Sequence, residues 1–170
     1  MTIDVKFAKV RPDARQPIKG DDGNMCFDFF PCFDEDFIEI KPGETKLVPT
    51  GIATAFDDDW GLVFRERGST GKIGLKVSSG VIDANFRGHI FAALYNGNKD
   101  KSIFISKIGE TGEQSPLTEN PDAILYPYEK AICQGMFLPV PKVYLEEIDY
   151  EILKNIESAR GIGCLGSSGR

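Results

Sequence analysis

Glycine and proline punctuate this chain from end to end, with 18 glycines and 10 prolines in 170 residues. The apolar runs between them are short. Runs of this length, rich in β-branched and aromatic side chains, read as strands separated by turns rather than as helices. Residues 3–10, 37–40, 45–48, 52–56, 61–64, 81–82 and 89–95 follow the pattern, and Lys41-Pro42-Gly43-Glu44 is a turn between two of them. An all-β barrel or sandwich is expected, with one domain over residues 1–159. A single short helix is expected at 150–159. The polar stretch 96–127 reads as an inserted loop carrying one hairpin strand near 103–108. Residues 160–170 form an arm that is more than half Gly and Ser.

Charge narrows the function. Asp and Glu number 26 against 20 Lys and Arg, a net charge of −6, so a duplex nucleic acid is repelled and no nucleic-acid partner is expected. No apolar run approaches the roughly 20 residues of a membrane span, and the first residues carry no signal-peptide core. Cys26, Cys32, Cys133 and Cys164 show no metal-ligand rhythm, which points to free thiols in a reducing cytoplasm. His89 is the only histidine. That excludes a Ser-His-Asp or Cys-His set and any multi-histidine zinc site within one chain.

Two nucleotide motifs fail on inspection. Gly161-Ile162-Gly163-Cys164-Leu165-Gly166 has the spacing of a dinucleotide fingerprint, but only four residues follow it, too few for the helix and acidic residue that the motif needs. Gly68-Ser69-Thr70-Gly71-Lys72 resembles a phosphate loop, but its glycine spacing is short and Ile73 stands where a metal-binding hydroxyl is required.

Five short blocks remain: Cys26-Phe27-Asp28, Arg67-Gly68-Ser69-Thr70, the stretch Gly80-Val81-Ile82-Asp83-Ala84-Asn85-Phe86-Arg87-Gly88, Ile132-Cys133-Gln134, and the arm from Arg160 to Gly169. In this order and spacing they resemble the five motifs of the trimeric deoxyuridine triphosphatases (dUTPases). The resemblance covers most of the chain, and the long block 96–127 resembles the inserted segment of some phage members. It implies a jelly-roll or distorted β-barrel subunit in a homotrimer with three shared active sites. It further implies dUTP as substrate, cleaved to dUMP and pyrophosphate with Mg²⁺, and an arm that closes over the nucleotide.

The resemblance also implies a role for each matching residue. Asp83 is the general base for water attacking the α-phosphorus; alone, it would read as a turn Asp bonded to backbone N–H groups. Phe86 stands at the position of a Tyr whose ring lies against the deoxyribose, and main-chain groups of Gly80, Val81 and Ile82 recognise uracil. Arg67, with Gly68, Ser69 and Thr70, meets phosphate, as does Gln134, which also reaches the lytic water. Asp28 meets Mg²⁺ through water. In the arm, Arg160 pairs with the γ-phosphate, while Gly163, Gly166, Ser167 and Ser168 offer backbone N–H groups. Leu165 covers the base where the family places an aromatic ring.

Two other functions compete. A deoxycytidine triphosphate deaminase shares the fold, but its proton-shuttling Glu would fall on Ala93. A protein of this fold could instead work by binding a protein partner through the 96–127 insert, with weak or no catalysis.

Overall fold

The computed structural model describes residues 2–159 and 161–163. Within them the short apolar runs become twelve strands. These are β1 (Lys6–Lys9), β2 (Phe27–Phe29), β3 (Phe37–Ile40), β4 (Thr45–Pro49), β5 (Ile52–Ala55) and β6 (Trp60–Arg65), followed by β7 (Leu75–Ser79), β8 (Val81–Ile82), β9 (Phe91–Asn96), β10 (Ile103–Ser106), β11 (Ile124–Pro127) and β12 (Cys133–Pro139). A five-residue helix, α1 (Gly68–Lys72), lies between β6 and β7, and a second, α2 (Tyr150–Lys154), lies near the end. The strands hydrogen-bond in the orders β1-β5, β11-β10-β3, β2-β12-β6-β8 and β4-β9-β7. Their inward faces bury one apolar core that includes Ile40, Ile52, Leu62, Phe64, Leu75 and Ile90. Removing these side chains from water is the main favourable term in folding.

The 96–127 stretch departs from expectation. Its strand β10 is not half of a hairpin: it lies between β3, antiparallel, and β11, parallel. All four residues of β10 are buried, as a strand covered on both faces must be, and Ile103, Phe104 and Ile105 supply the continuous apolar run that such burial requires. Asn96, fully buried, secures the approach to β10 by donating from its amide to the carbonyls of Ile40 and Lys101, both at 2.8 Å. The irregular segment is therefore 107–123.

The chain divides into two compact units, Met1–Val140 and Pro141–Arg170, so the boundary falls earlier than the expected 159. The last cross-strand bond runs from the Val140 N–H to the Asp59 carbonyl at 2.7 Å, and Pro141 has no N–H to continue it. In the second unit the expected helix 150–159 is cut to Tyr150–Lys154. It begins at Asp149, whose carboxylate accepts the Glu151 N–H at 2.7 Å.

One glycine is fixed by geometry. Gly51 has φ +71°, and a Cβ there would sit 2.5 Å from the Ala14 Cβ and 2.8 Å from the Cys32 Sγ. Gly51→Ala combines a left-handed backbone with overpacking. It is expected to cost about 3 kcal/mol, read as a lower urea midpoint with an unchanged slope.

Candidate active site

The site is assembled by strand register. Gln134 on β12 is paired with Asp28 on β2 on one side and with Arg65 on β6 on the other. Two residues beyond Arg65, β6 runs into α1 at Arg67. A Gly-Ser-Thr-Gly sequence has little helix propensity, and Thr70 holds the turn together. Its hydroxyl accepts the Arg67 N–H at 2.9 Å and donates to the Arg67 carbonyl at 3.0 Å. Thr70 is also fully buried. Its hydroxyl is thereby engaged by the Arg67 backbone on both its donor and its acceptor side. Ser69, exposed, is the hydroxyl that lines the cavity.

Arg67 is held on three sides. Nε and Nη2 donate to the two carboxylate oxygens of Asp28 at 2.9 and 3.0 Å, while Nη1 faces the Ser69 Oγ at 3.3 Å and the Ala131 carbonyl at 3.4 Å. Gln134 donates through Nε2 to the Glu66 carbonyl at 2.9 Å, which leaves its amide oxygen without a protein partner among the described residues. These groups line an open cavity of about 660 Å³ together with Gly68 and a wall formed by Gly20, Asn24, Met25 and Cys26. Sequence reasoning missed that wall apart from Cys26, which opens the first of the five blocks. The turn cluster Gly20-Asp21-Asp22-Gly23-Asn24, just before Asp28, is the signal that could have found it.

The two thiols nearest the site, Cys26 and Cys133, are not primed as nucleophiles. Burial raises the Cys133 pKa far above the ordinary thiol range, with the Asp28 charge adding to the effect. Cys26 is raised by the same two causes in the same order.

Asp83 lies elsewhere. Gly80 packs so closely beneath Phe64 that a Cβ would be 2.6 Å from the Phe64 carbonyl oxygen, and this contact seats Val81 and Ile82 against Val63 and Leu62 of β6. The chain then turns, with the Phe86 N–H donating to the Asp83 carbonyl at 3.1 Å. The Asp83 side chain is exposed and accepts no hydrogen bond among the described residues, unlike a turn-capping carboxylate. Phe86 is also exposed, its ring lying over Gly88. In the order β2-β12-β6-β8, β8 and β2 are opposite edges. Asp83 is thus roughly 14 Å from Asp28 across the sheet, and about four residues, roughly 13 Å, offset along it. One chain therefore brings together Asp28, Arg67, Ser69 and Gln134, and does not bring Asp83 or Phe86 to them. Gly163 belongs to the second unit, beside Gly161 at φ +54°. Arg160, Leu165, Gly166, Ser167 and Ser168 lie outside the described residues.

His89 is structural. Its Nε2 accepts the Gly51 N–H at 2.8 Å and its ring packs 4.4 Å from Phe91. Burial first, and the Arg11 charge second, lower its pKa below the ordinary 6.5. A depressed histidine stabilises fully above its unfolded value, and that contribution is lost as the pH falls below it. The urea midpoint is expected to drop between about pH 7 and 5.5, with His89→Gln removing part of that drop.

No protein-family model matches the chain. In three dimensions it is similar to the Staphylococcus bacteriophage 80alpha dUTPase with dUPNHPP. The TM-score is 0.76 at 16% identity, covering 98% of this chain and 99% of that one. It is also similar to a point mutant of the dUTPase from phage phi11 of S. aureus, described with a structural Mg(II) ion, at TM-score 0.66 and 14% identity over 86% of this chain and 97% of that one. The fold is thus that of the phage dUTPase subunits. In sequence the chain is 30% identical over 168 residues to a deoxyuridine 5'-triphosphate nucleotidohydrolase of Psychrobacter sp., covering 95% of this chain and 92% of the relative. It is 28% identical over 174 residues to the one from Laribacter hongkongensis, covering 99% and 98%. The chain belongs to the deoxyuridine 5'-triphosphate nucleotidohydrolase (dUTPase) family.

Proposed function

We propose that this protein hydrolyses dUTP to dUMP and pyrophosphate at a site completed by a second copy of the chain in a homotrimer. The observation that carries the reading is the separation just described. An open cavity with Arg67, Ser69 and Gln134 lacks a free carboxylate, and an exposed carboxylate at Asp83 lacks a cavity. A neighbouring subunit supplies each with what it needs.

In this reading the Asp83 carboxylate takes a proton from a water whose oxygen attacks the α-phosphorus. The new P–O bond forms as the bond from the α-phosphorus to the α,β-bridging oxygen breaks, releasing pyrophosphate. The remaining Arg67 N–H and the Ser69 hydroxyl hold phosphate oxygens, and the Gln134 amide oxygen accepts from the lytic water. Main-chain groups of Gly80, Val81 and Ile82 read the uracil, and Phe86 covers the deoxyribose. The roles read for the 160–170 arm are chemical: Arg160 as partner for the γ-phosphate, Leu165 as apolar cover for the base, and Gly163, Gly166, Ser167 and Ser168 as backbone donors.

The cavity suits a Mg²⁺ that arrives on the phosphates. Asp28 is its single acidic lining residue among the described ones, and each of its oxygens already accepts from Arg67, which suits it to an ion met through water. Bound there, Mg²⁺ supplies charge neutralisation on the triphosphate.

No described helix is long and apolar enough to cross a membrane, and Cys26, Cys32 and Cys133 are free thiols, in keeping with a reducing cytoplasm. The largely exposed, polar segment 107–123 is the surface that the long insert offers to a protein partner. The test is direct: dUTP and Mg²⁺ are expected to yield dUMP and pyrophosphate. No pyrophosphate would overturn the reading in favour of a binding protein. Ammonia would point to deamination, for which Ala93, buried in β9, offers no carboxylate.

A further inference from the structure

We propose that Asp28 sets the charge that this chain's own wall brings to the phosphate cavity: by pairing with Arg67 it keeps that wall neutral, so that polyphosphate binds well only with a divalent cation of its own. The inference rests on the reading of this cavity as the phosphate site.

Both carboxylate oxygens of Asp28 are engaged by the guanidinium, at 2.9 and 3.0 Å. Each side chain is only 28% exposed, so solvent screens the pair incompletely. Asp28 and Arg67 are the only charged residues lining the cavity among the described residues. The further cation nearest Arg67 in sequence, Arg65, is paired with Glu66 at 3.5 Å, and Lys19, beside Gly20, donates to the Asp22 carbonyl at 3.0 Å. A guanidinium has five N–H groups. Two are spent on Asp28 and two point toward Ser69 and Ala131, leaving one on Nη2 for an incoming oxygen.

The pair therefore aims Arg67 while cancelling its pull on a bare polyanion. An anion seated against Arg67 must also sit within a few ångströms of the Asp28 carboxylate, and at that range one unit charge shifts binding by about tenfold or more. A polyphosphate carrying a divalent cation brings less negative charge to Asp28, whereas a metal-free polyphosphate meets its repulsion in full. Asp28 acts here as a positioning residue, through Arg67 and the local field.

The experiment measures calorimetric binding of inorganic triphosphate to the full-length protein, in excess EDTA and in saturating Mg²⁺. Wild type, Asp28→Asn and Asp28→Glu are compared. Asp28→Asn is expected to tighten metal-free binding about tenfold and change Mg²⁺-loaded binding far less, so the ratio of the two affinities collapses. Asp28→Glu, which keeps the charge, is expected to retain the wild-type ratio. The proposal is overturned if Asp28→Asn leaves metal-free binding unchanged or weaker, as an anchor for metal-bound water alone would, or if Asp28→Glu behaves like Asp28→Asn. If wild type binds triphosphate in neither condition, the phosphate-site reading falls and the charge gate with it. If it binds and turns over dUTP but Asp28→Asn has no effect, only the gate falls.

Discussion

Asp83→Asn is expected to fold, assemble and bind nucleotide, yet turn over dUTP roughly a hundred- to ten-thousand-fold more slowly, the usual contribution of a positioned general base. The substitution is clean because of how the residue is held. The exposed Asp83 side chain accepts no hydrogen bond among the described residues, and the turn that presents it closes on its backbone carbonyl, which Asn also has. The preceding strand β8 is seated by Gly80 and by pairing with Val63 and Leu62, none of which involves the carboxylate. The folded state therefore loses almost nothing, and the loss falls on the proton acceptor alone. Single-turnover kinetics measure the chemical step, and the Kd of a non-hydrolysable dUTP analogue measures binding. A fall in kcat with an unchanged Kd is the expected split. Turnover near wild type would remove Asp83 from the mechanism.

How far the sequence disclosed this arrangement depends on the range of the interactions involved. Strands β3, β4, β5 and β9 are legible because β-branched and aromatic residues alternate between clear turn signals, as at Lys41-Pro42-Gly43-Glu44. Strand β7 is not, because Leu-Lys-Val-Ser-Ser carries two serines and a lysine and is placed by pairing with β9, with a bulge after Val77. Strand β12 hides behind Gly135, which reads as a break in a strand. A side chain there would meet Phe29, Leu62 and Phe64 within 2.8–3.1 Å, so the glycine is what lets the sheet close. The same limit governs the site. Arg67, Gln134 and Asp83 can be picked out by type and motif, but their grouping follows from the order β2-β12-β6-β8, and nothing local specifies that order. Nor could sequence separate Ser69 from Thr70, two adjacent hydroxyls. One is buried under its own helix turn and the other opens to the cavity.

Arg67→Ala is expected to be as damaging as Asp83→Asn and, by a different route, to reveal who completes the site. It removes the phosphate donor and strips Asp28 of both hydrogen bonds, leaving a partly buried carboxylate beside the anion. Activity should fall by about two to three orders of magnitude. Neither variant protein has a working site alone. If each site takes Arg67 from one subunit and Asp83 from another, unfolding an equal mixture of the two and refolding them together restores some intact sites. A site then works when its Arg67 comes from an Asp83→Asn chain and its Asp83 from an Arg67→Ala chain, which random assembly achieves about one time in four. Recovered activity approaching a quarter of wild type is therefore the expected outcome, while mixing without unfolding recovers nothing. A site confined to one chain predicts zero recovery at every mixing ratio, because no chain carries both residues. The distance across β2-β12-β6-β8 favours the first result: strands four abreast do not fold back to bring their own edges together, and a second copy needs no such distortion.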